Sequence, residues 1–339
     1  MSDLARGLRV LIVGAIGGSH IAGSLMRACS RLGLETEFRD MNDGWRLGTL
    51  PQKLFWHGFG KRPIRLRRFS RDIVTECKRF RPHVLIATGY VPITGEALIE
   101  CRRMGTKCFN LSTDDPFNPT MRMNWFLRAL PQYDTIFSPR RSNLDELRAH
   151  GCRDVRYLPF GYDSDLFFAP DAKHSEETSD LFFAGTAEQS RVEYVRAALH
   201  AGLSVRVYGD YWSRYSGMQR VSKGRADIPA LREGLASCKV ALCLVRHDNR
   251  DGHSMRTFEI PAVGACMVVE DTAEHREIFG DEGAHVVYFT NPAEMVTKTK
   301  ELVRDSKTRW RLRDAAHALI TNGHNTYADR LKTMLELVN

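Results

Sequence analysis

The chain has 339 residues, of which 43% are hydrophobic and 27% are charged. This composition is typical of soluble globular proteins, and the length allows two domains. No apolar run approaches the roughly 20 residues needed to span a bilayer, and the N-terminal run "LRVLIVG" suits a strand better than a signal peptide. These features argue against a membrane-spanning class and predict a cytoplasmic protein. The eight cysteines show no zinc-ligand or CxxC spacing, which predicts buried free thiols.

The net charge of +8 is concentrated in one segment. Residues 46–81 contain 11 Lys/Arg against Asp72 and Glu76, a local charge of +9, so the remainder carries −1. Aromatic residues, including Trp56 and Phe59, alternate with these cations. The segment could contact an anionic membrane peripherally, guide an anionic glycan, or form a solvated face with its aromatic residues in the core. Nucleic acid, which would stack on the aromatic rings, is the least favoured partner.

Short apolar β-rich runs alternate with helical patterns, which predicts parallel α/β sheets. In the N-terminal half, strands are predicted at residues 9–13, 35–39, 83–88, 107–111, 135–137 and 155–158, with a first helix at 21–32. The pattern then breaks, and a second series has strands within "LFFAG", "LSVRVYG", "KVALCLV", "ACMVVE" and "HVVYF". Helices are predicted at 292–305 and 308–337, with a break near 322–323. We therefore predict two Rossmann-like domains facing each other across a cleft.

The predicted division follows these breaks in the pattern. It consists of an N-terminal acceptor-binding domain at 1–160, a linker at 161–178, a C-terminal nucleotide-sugar-binding domain at 179–322, and a last helix at 323–339 that packs back on the N-terminal domain. Open α/β sheets bind ligands at the carboxyl ends of their strands. That rule places the loops "GAIGGSH", "STDDPF", "AGTAEQSR", "YGDYW" and "RHDNRDGHS" at the ligand site.

The stretch "RDGHSMRTFEIPAVG" contains Asp251 and Glu259, which are too far apart to be neighbours on one helical face. The spacing instead places the first acid in a loop and the second inside the following helix, with both directed at one small molecule. This block, together with "NLDELRAHGCRDVRYLPFGYDSDLF", "DLFFAGTAEQSR" and "HNTYADRL", resembles the CgeB-like branch of the group 1 glycosyltransferases. Asp251 stands where that family usually has Glu, and Gly252–His253 replaces its commoner glycine-aromatic pair.

The resemblance implies a GT-B fold and a glycosyltransferase that moves a sugar from a nucleotide-diphosphate donor to a hydroxyl of a glycan, a lipid-linked acceptor or a small molecule. It further implies retention of anomeric configuration, no metal and no cofactor, with a UDP-sugar as the expected donor. Donor chemistry agrees with the residues. The Glu259 carboxylate can accept both ribose hydroxyls, and Asp251 can reach the sugar. The diphosphate can meet the backbone N–H groups at a helix start, those of Gly252, His253, Ser254 and Met255.

Other residues are candidates for the same donor. Arg191 can bind the diphosphate in bidentate fashion and stabilise its charge as it leaves. Arg256 either contacts a phosphate or pairs with Glu259, one helical turn away. Asp210 and Tyr211 follow a strand and are candidates for the border of the base.

In the N-terminal half, "GAIGGSH" matches neither a dinucleotide-binding nor a P-loop motif. Its Gly17 and Gly18 suit a tight turn beside a phosphate or an acceptor sugar. His20 can act as an acid or base, or only as a hydrogen-bonding group. Asp114 and Asp115 can position the acceptor hydroxyl or accept its proton, or can simply cap a turn. No third ligand with suitable spacing is visible, so no metal site is predicted.

Two other functions remain open from the sequence. A nucleotide-sugar epimerase of similar shape would convert the donor with no acceptor present. A non-catalytic protein would use the basic segment on an anionic polymer or surface, with binding that weakens steeply with salt.

Overall fold

A computed structural model describes residues 7–45, 60–170 and 177–338 of the chain. The chain forms two compact units. Unit 1 comprises Met1–Pro159, His247–Asp251 and Tyr327–Asn339, and unit 2 comprises Phe160–Arg246 and Gly252–Thr326. Unit 1 therefore includes a five-residue segment from the middle of the predicted C-terminal domain. It also includes most of the predicted last helix.

Unit 1 is built on a six-stranded parallel sheet with the order β2-β1-β3-β4-β5-β6. Its strands are β1 (Arg9–Gly14), β2 (Glu35–Asp40), β3 (Val84–Thr88), β4 (Lys107–Leu111), β5 (Thr135–Ser138) and β6 (Val155–Tyr157). Its helices before the crossing into unit 2 are α1 (Ile21–Arg31), α2 (Asn42–Trp45), α3 (Leu66–Phe80), α4 (Gly95–Arg103), α5 (Asn124–Ala129) and α6 (Leu144–Ala149). Each strand predicted in this half is present, with ends within one residue of those predicted.

The central strands of unit 1 are continuous apolar runs because helices cover both faces of a parallel sheet. Every residue of β3 is buried. Helix α3 packs on this sheet through Phe69, Ile73 and Cys77, which recur at helical spacing and belong to the unit 1 core. The opposite side of α3 carries exposed cations, including Arg67 and Arg71.

Unit 2 has a five-stranded parallel sheet with the order β11-β10-β9-β7-β8. Its strands are β7 (Ser179–Ala184), β8 (Val205–Tyr208), β9 (Cys238–Cys243), β10 (Met267–Glu270) and β11 (Val287–Phe289). Its helices are α7 (Gln189–His200), α8 (Ile228–Ala236), α9 (Arg256–Val263), α10 (Ala273–Phe279), α11 (Pro292–Arg304) and α12 (Ser306–Asn322). These two sheets confirm the predicted α/β class, with two Rossmann-like domains.

The last helix, α13 (Tyr327–Leu335), belongs to unit 1, where it packs against α1. Arg330 fastens it there, since its Nε donates a hydrogen bond of 2.9 Å to the carbonyl of Pro159. The chain thus returns to unit 1 after completing unit 2.

All eight cysteines are free and buried, as predicted. Within residues 7–45, 60–170 and 177–338, no helix is long and apolar enough to cross a membrane. Those residues also contain no group of three His, Cys, Asp or Glu side chains arranged to hold a metal ion.

Candidate functional site

Arg191 is a fixed cation at the carboxyl edge of the unit 2 sheet. It lies in the first turn of α7, directly after the loop that follows β7, and its side chain is buried. One terminal nitrogen donates to the Thr186 carbonyl at 3.2 Å, and the other donates to the Val245 carbonyl at 3.3 Å. The guanidinium therefore joins the loop after β7 to the end of β9, where ligands of parallel sheets bind.

Glu259 and Arg256 form an ion pair in the first turn of α9, which confirms one of the two alternatives for Arg256. The Glu259 side chain is only 1% exposed, and a carboxylate at that depth requires such a partner. Arg256 Nε also donates to the Ala184 carbonyl at 3.4 Å, at the end of β7. Arg191 and Arg256, from two helices, thus reach carbonyls of the same strand end and the loop that follows it.

The loop before α9 is held by its contacts with the start of α10. A side chain at Gly252 would place its Cβ 2.8 Å from Glu274 Cγ, so only glycine fits this close approach. The Ser254 N–H donates to the Thr257 hydroxyl at 3.0 Å. Within the part of the chain that the structure describes, the N–H of Met255 has no hydrogen-bond acceptor. That donor at the helix start suits an anion.

His253 is fully buried, and its ring anchors the loop. Nε2 accepts a hydrogen bond of 3.1 Å from the Phe160 N–H, so the ring proton lies on Nδ1, which is 2.6 Å from a Glu274 carboxylate oxygen. Both ring nitrogens are therefore occupied. The predicted contribution of His253 to donor binding stays with its backbone N–H.

A second buried histidine, His275, was not singled out from the sequence. Its Nδ1 donates to the Glu270 carbonyl at 2.8 Å, and its Nε2 accepts from the Thr257 hydroxyl at 2.9 Å. Burial lowers the pKa of His275 to about 4, so the ring is neutral at pH 7. The Glu270 carboxylate, also buried, accepts a hydrogen bond of 3.1 Å from the Val245 N–H. The sequence signal that could have identified Glu270 is its position at the end of the predicted strand "ACMVVE".

Asp210 and Tyr211 follow β8, beside the loop that leads to Arg191, because the Ala187 N–H donates to the Asp210 carbonyl at 2.9 Å. The Arg225 guanidinium hydrogen-bonds the Asp210 carboxylate and lowers its pKa. Tyr211 is half exposed and has a left-handed backbone with φ of 67°. The Arg214 guanidinium carbon lies over its ring, 3.9 Å from the ring centroid. Their placement at the border of a base stays a prediction.

Asp251 belongs to unit 1, where it pairs with Arg140. Asn249 Nδ2 donates to the same carboxylate at 3.1 Å, and Arg140 Nη1 donates to the Ser112 carbonyl, after β4, at 2.9 Å. Neither Arg140 nor Asn249 was identified from the sequence, since nothing local marks them. The sugar contact predicted for Asp251 stays a prediction.

Asp115 is fully buried in the same part of unit 1. One carboxylate oxygen accepts from Arg250 Nε at 2.6 Å, and its backbone N–H donates to Asn249 Oδ1 at 2.7 Å. Asp114 is half-buried, and the Thr113 hydroxyl donates to it at 3.3 Å. The structure therefore distinguishes two adjacent acids that looked equivalent in the sequence.

Gly17, Gly18 and His20 form the turn between β1 and α1. Both glycines have left-handed backbones, with φ of 103° and 53°, and the His20 N–H donates to the Gly17 carbonyl at 3.2 Å. All three residues are exposed. Their catalytic or acceptor roles stay predictions. Trp56, Phe59 and residues 46–59 of the basic segment lie outside the described residues.

Residues 191–336 match a family model described as glycosyl transferase-like. That range contains Arg191, Arg256 and Glu259 but excludes nearly all of unit 1. A search of curated proteins with the sequence finds no match.

Solved structures are similar over nearly the whole chain. Sucrose-phosphate synthase from Thermosynechococcus elongatus has a TM-score of 0.70 at 11% identity, over 97% of this chain and 98% of that one. A glycosyltransferase from Rickettsia africae has a TM-score of 0.64 at 12% identity, over 98% of each chain. Anabaena HepE in complex with UDP-glucose also has a TM-score of 0.64 at 12% identity, over 98% and 99%. These similarities show the GT-B fold that was predicted.

Proposed function

We propose that this protein is a glycosyltransferase that moves a sugar from a nucleotide-diphosphate donor, a UDP-sugar, to a hydroxyl acceptor. The observation that carries the proposal is the convergence in unit 2 of Arg191 and Arg256 at the end of β7, with the carboxylate of Glu259 paired to Arg256. The glycosyl transferase-like match over residues 191–336 and the UDP-glucose held by Anabaena HepE support it.

Glu259 is the proposed ribose ligand. Arg256 contacts its Oε2, and Oε1 makes no hydrogen bond within the described residues. An ionised carboxylate only accepts hydrogen bonds, so it selects a ligand that presents hydroxyl donors. The vicinal hydroxyls of a ribose meet that requirement, and Arg256 supplies the opposite charge that a buried carboxylate needs.

Arg191 and the start of α9 are the proposed diphosphate ligands. In the transfer, the bond between the anomeric carbon and the phosphate oxygen breaks, and a bond to the acceptor oxygen forms. The leaving diphosphate gains negative charge, so the fixed Arg191 cation and the Met255 N–H stabilise the transition state more than the ground state. For retention, we propose that the leaving phosphate oxygen receives the acceptor proton. The Arg191 guanidinium supplies positive charge there, whereas that of Arg256 is paired with Glu259, and we propose metal-independent transfer.

The remaining assignments belong to the same proposal. The acceptor is a glycan, a lipid-linked sugar or a small molecule, with His20 or Asp114 as candidates for handling its hydroxyl proton. The protein acts in the cytoplasm, and peripheral contact of the basic segment with an anionic membrane stays a prediction.

Calorimetric titration of the protein with UDP, GDP, ADP and TDP and their common sugar conjugates, with and without Mg²⁺, tests the donor site. Selective binding of UDP and a UDP-sugar without metal is expected. Glu259→Gln keeps the side-chain shape and should weaken that binding about 10- to 100-fold, since a charged hydrogen bond contributes roughly 1.5–3 kcal/mol.

Glu301→Gln, on the exposed side of α11, is the matched control and should bind as the unaltered protein does. Unchanged affinity in the Glu259 variant, or no binding across the panel, would contradict the proposal. Conversion of the UDP-sugar to an epimer without acceptor would instead support an epimerase.

A further inference from the structure

A large groove lies on unit 1, among helices α3, α4 and α5 and apart from the residues proposed for the donor. Its volume is about 1370 Å³. Arg62, Arg67, Arg71 and Lys78 from the described part of the basic segment line it, together with Arg128 of α5. The donor proposal gives these residues no role.

The charges in this groove are only partly compensated. Among the described residues that line it, the carboxylates are Glu96 and Glu100, and Lys78 pairs with Glu100 at 2.7 Å. Glu96 is at the start of α4, where backbone and Thr94 hydrogen bonds lower its pKa and Arg67 contributes more weakly. In the described ranges, Arg62, Arg71 and Arg128 are exposed and have no ion pair. A surplus of positive charge therefore faces the groove.

The cations on α3 form a line. Arg67, Arg71 and Lys78 lie four and seven residues apart, so they project from one side of the helix. Because a helix rises about 1.5 Å per residue, this line is roughly 16 Å long. An extended anionic chain could follow it, whereas a single small anion would need only one end.

Other residues that line the groove carry groups that suit sugars. Asn124 and Gln132 line it, and within the described chain their side-chain amides make no hydrogen bonds. An amide both donates and accepts, which matches vicinal hydroxyls. Trp125 contributes a half-buried ring, fixed by a hydrogen bond of 3.1 Å from its Nε1 to the Lys61 carbonyl. Its apolar ring can pack against the C–H face of a pyranose.

We propose that this groove binds an acidic glycan, an oligosaccharide that carries carboxylate, sulfate or phosphate groups. The arginines would meet its charges in bidentate fashion, and the amides and Trp125 would meet its sugar rings. The groove is concave, so it can enclose an oligosaccharide chain, whereas the surface of a bilayer is flat. Single-stranded nucleic acid would call for a series of aromatic rings, and Trp125 is the one aromatic residue among the described residues that line the groove. The assignment of this glycan as the acceptor rests on the proposed function, whereas its binding does not.

The test is direct binding of the full chain to oligogalacturonate and to heparin oligosaccharides, with neutral dextran oligomers for comparison, in the absence of donor. Both acidic ligands, but not dextran, should bind, and affinity should fall with salt. Arg67→Glu/Arg71→Glu should weaken binding about tenfold or more. Arg103→Glu/Arg153→Glu makes the same charge change at exposed positions outside the groove and should have little effect. Asn124→Ala/Gln132→Ala should weaken binding without altering charge.

Equal losses in the groove and control variants would overturn the proposal, since binding would then reflect only net charge. Binding to phosphatidylglycerol vesicles or to oligodeoxythymidine, with none to the acidic oligosaccharides, would also overturn it. Titration of the same variants with UDP separates the two proposals. A groove variant that loses glycan affinity but keeps UDP affinity shows that the donor site is intact. If the unaltered protein does not bind UDP, the donor proposal fails, and the glycan-binding result is unaffected.

Discussion

Arg140 and Asp251, which are 111 residues apart in the sequence, form an ion pair inside unit 1 with side chains only 1% and 4% exposed. Arg140 follows strand β5, and it also donates a hydrogen bond to the carbonyl of Ser112, which follows β4. It therefore holds the segment His247–Asp251 to the carboxyl edge of the unit 1 sheet. The residue that follows, Gly252, begins the loop before α9.

Asp251→Asn should destabilise the protein by roughly 3 kcal/mol, because it leaves the buried Arg140 charge without its partner. Urea unfolding measures this loss. Asp248→Asn, at an exposed position of the same segment, should leave the unfolding midpoint unchanged. If Asp251→Asn is fully stable and loses only the additional affinity for a UDP-sugar over UDP, the carboxylate acts on the sugar instead.

Arg191→Lys should reduce kcat about 100-fold and change the donor dissociation constant much less. Lysine keeps the charge but cannot bridge the carbonyls of Thr186 and Val245, so the cation would not be fixed where the leaving diphosphate develops charge. Steady-state kinetics with the donor identified by calorimetry measures both parameters. Arg196→Lys, further along the same helix, is the control. A raised KM with unchanged kcat would show uniform binding instead of transition-state stabilisation.

His275 should make unfolding depend on pH in a predictable direction. Its pKa is lowered from 6.5 to about 4 by burial, so below pH 6.5 the unfolded chain binds a proton that the folded chain does not. Stability is full above pH 6.5 and is lost as the pH falls towards 4. From pH 7 to pH 5 this site should cost about 2 kcal/mol.

Urea unfolding of the unaltered protein and of His275→Asn, at both pH values, isolates that contribution. Asparagine can still donate to the Glu270 carbonyl but does not titrate, so the variant should lose less stability than the unaltered protein between pH 7 and pH 5. An identical loss in both proteins would show that the His275 ring is protonated in the folded state.

Much of the fold could be predicted from the sequence. The strands of both sheets, the first helix and the closing helices follow from apolar runs, helical spacing and turn residues, which act over a few neighbouring residues. The ion pair of Arg256 with Glu259 was one of two alternatives because residues three apart on a helix are always close. The carboxyl-edge rule also predicts that Arg191 and the "RDGHS" loop lie at the ligand site.

The partners of the other candidate residues could not be predicted in this way. His253 is held by Phe160 and Glu274, Asp115 by Arg250, and Asp251 by Arg140, and each of these contacts joins distant parts of the chain.

The sequence by itself determined the alternation of strands and helices, the position of Glu259 within a helix, and the concentration of positive charge before β3. Only the tertiary structure decided that Asp251 belongs to unit 1 and that the cations of α3 face a groove with Asn124 and Trp125. The physical reason is the distance along the sequence over which each kind of interaction acts. Backbone sterics and hydrophobic periodicity act between near neighbours, whereas the partner of a buried charge depends on which distant segments the sheets bring together.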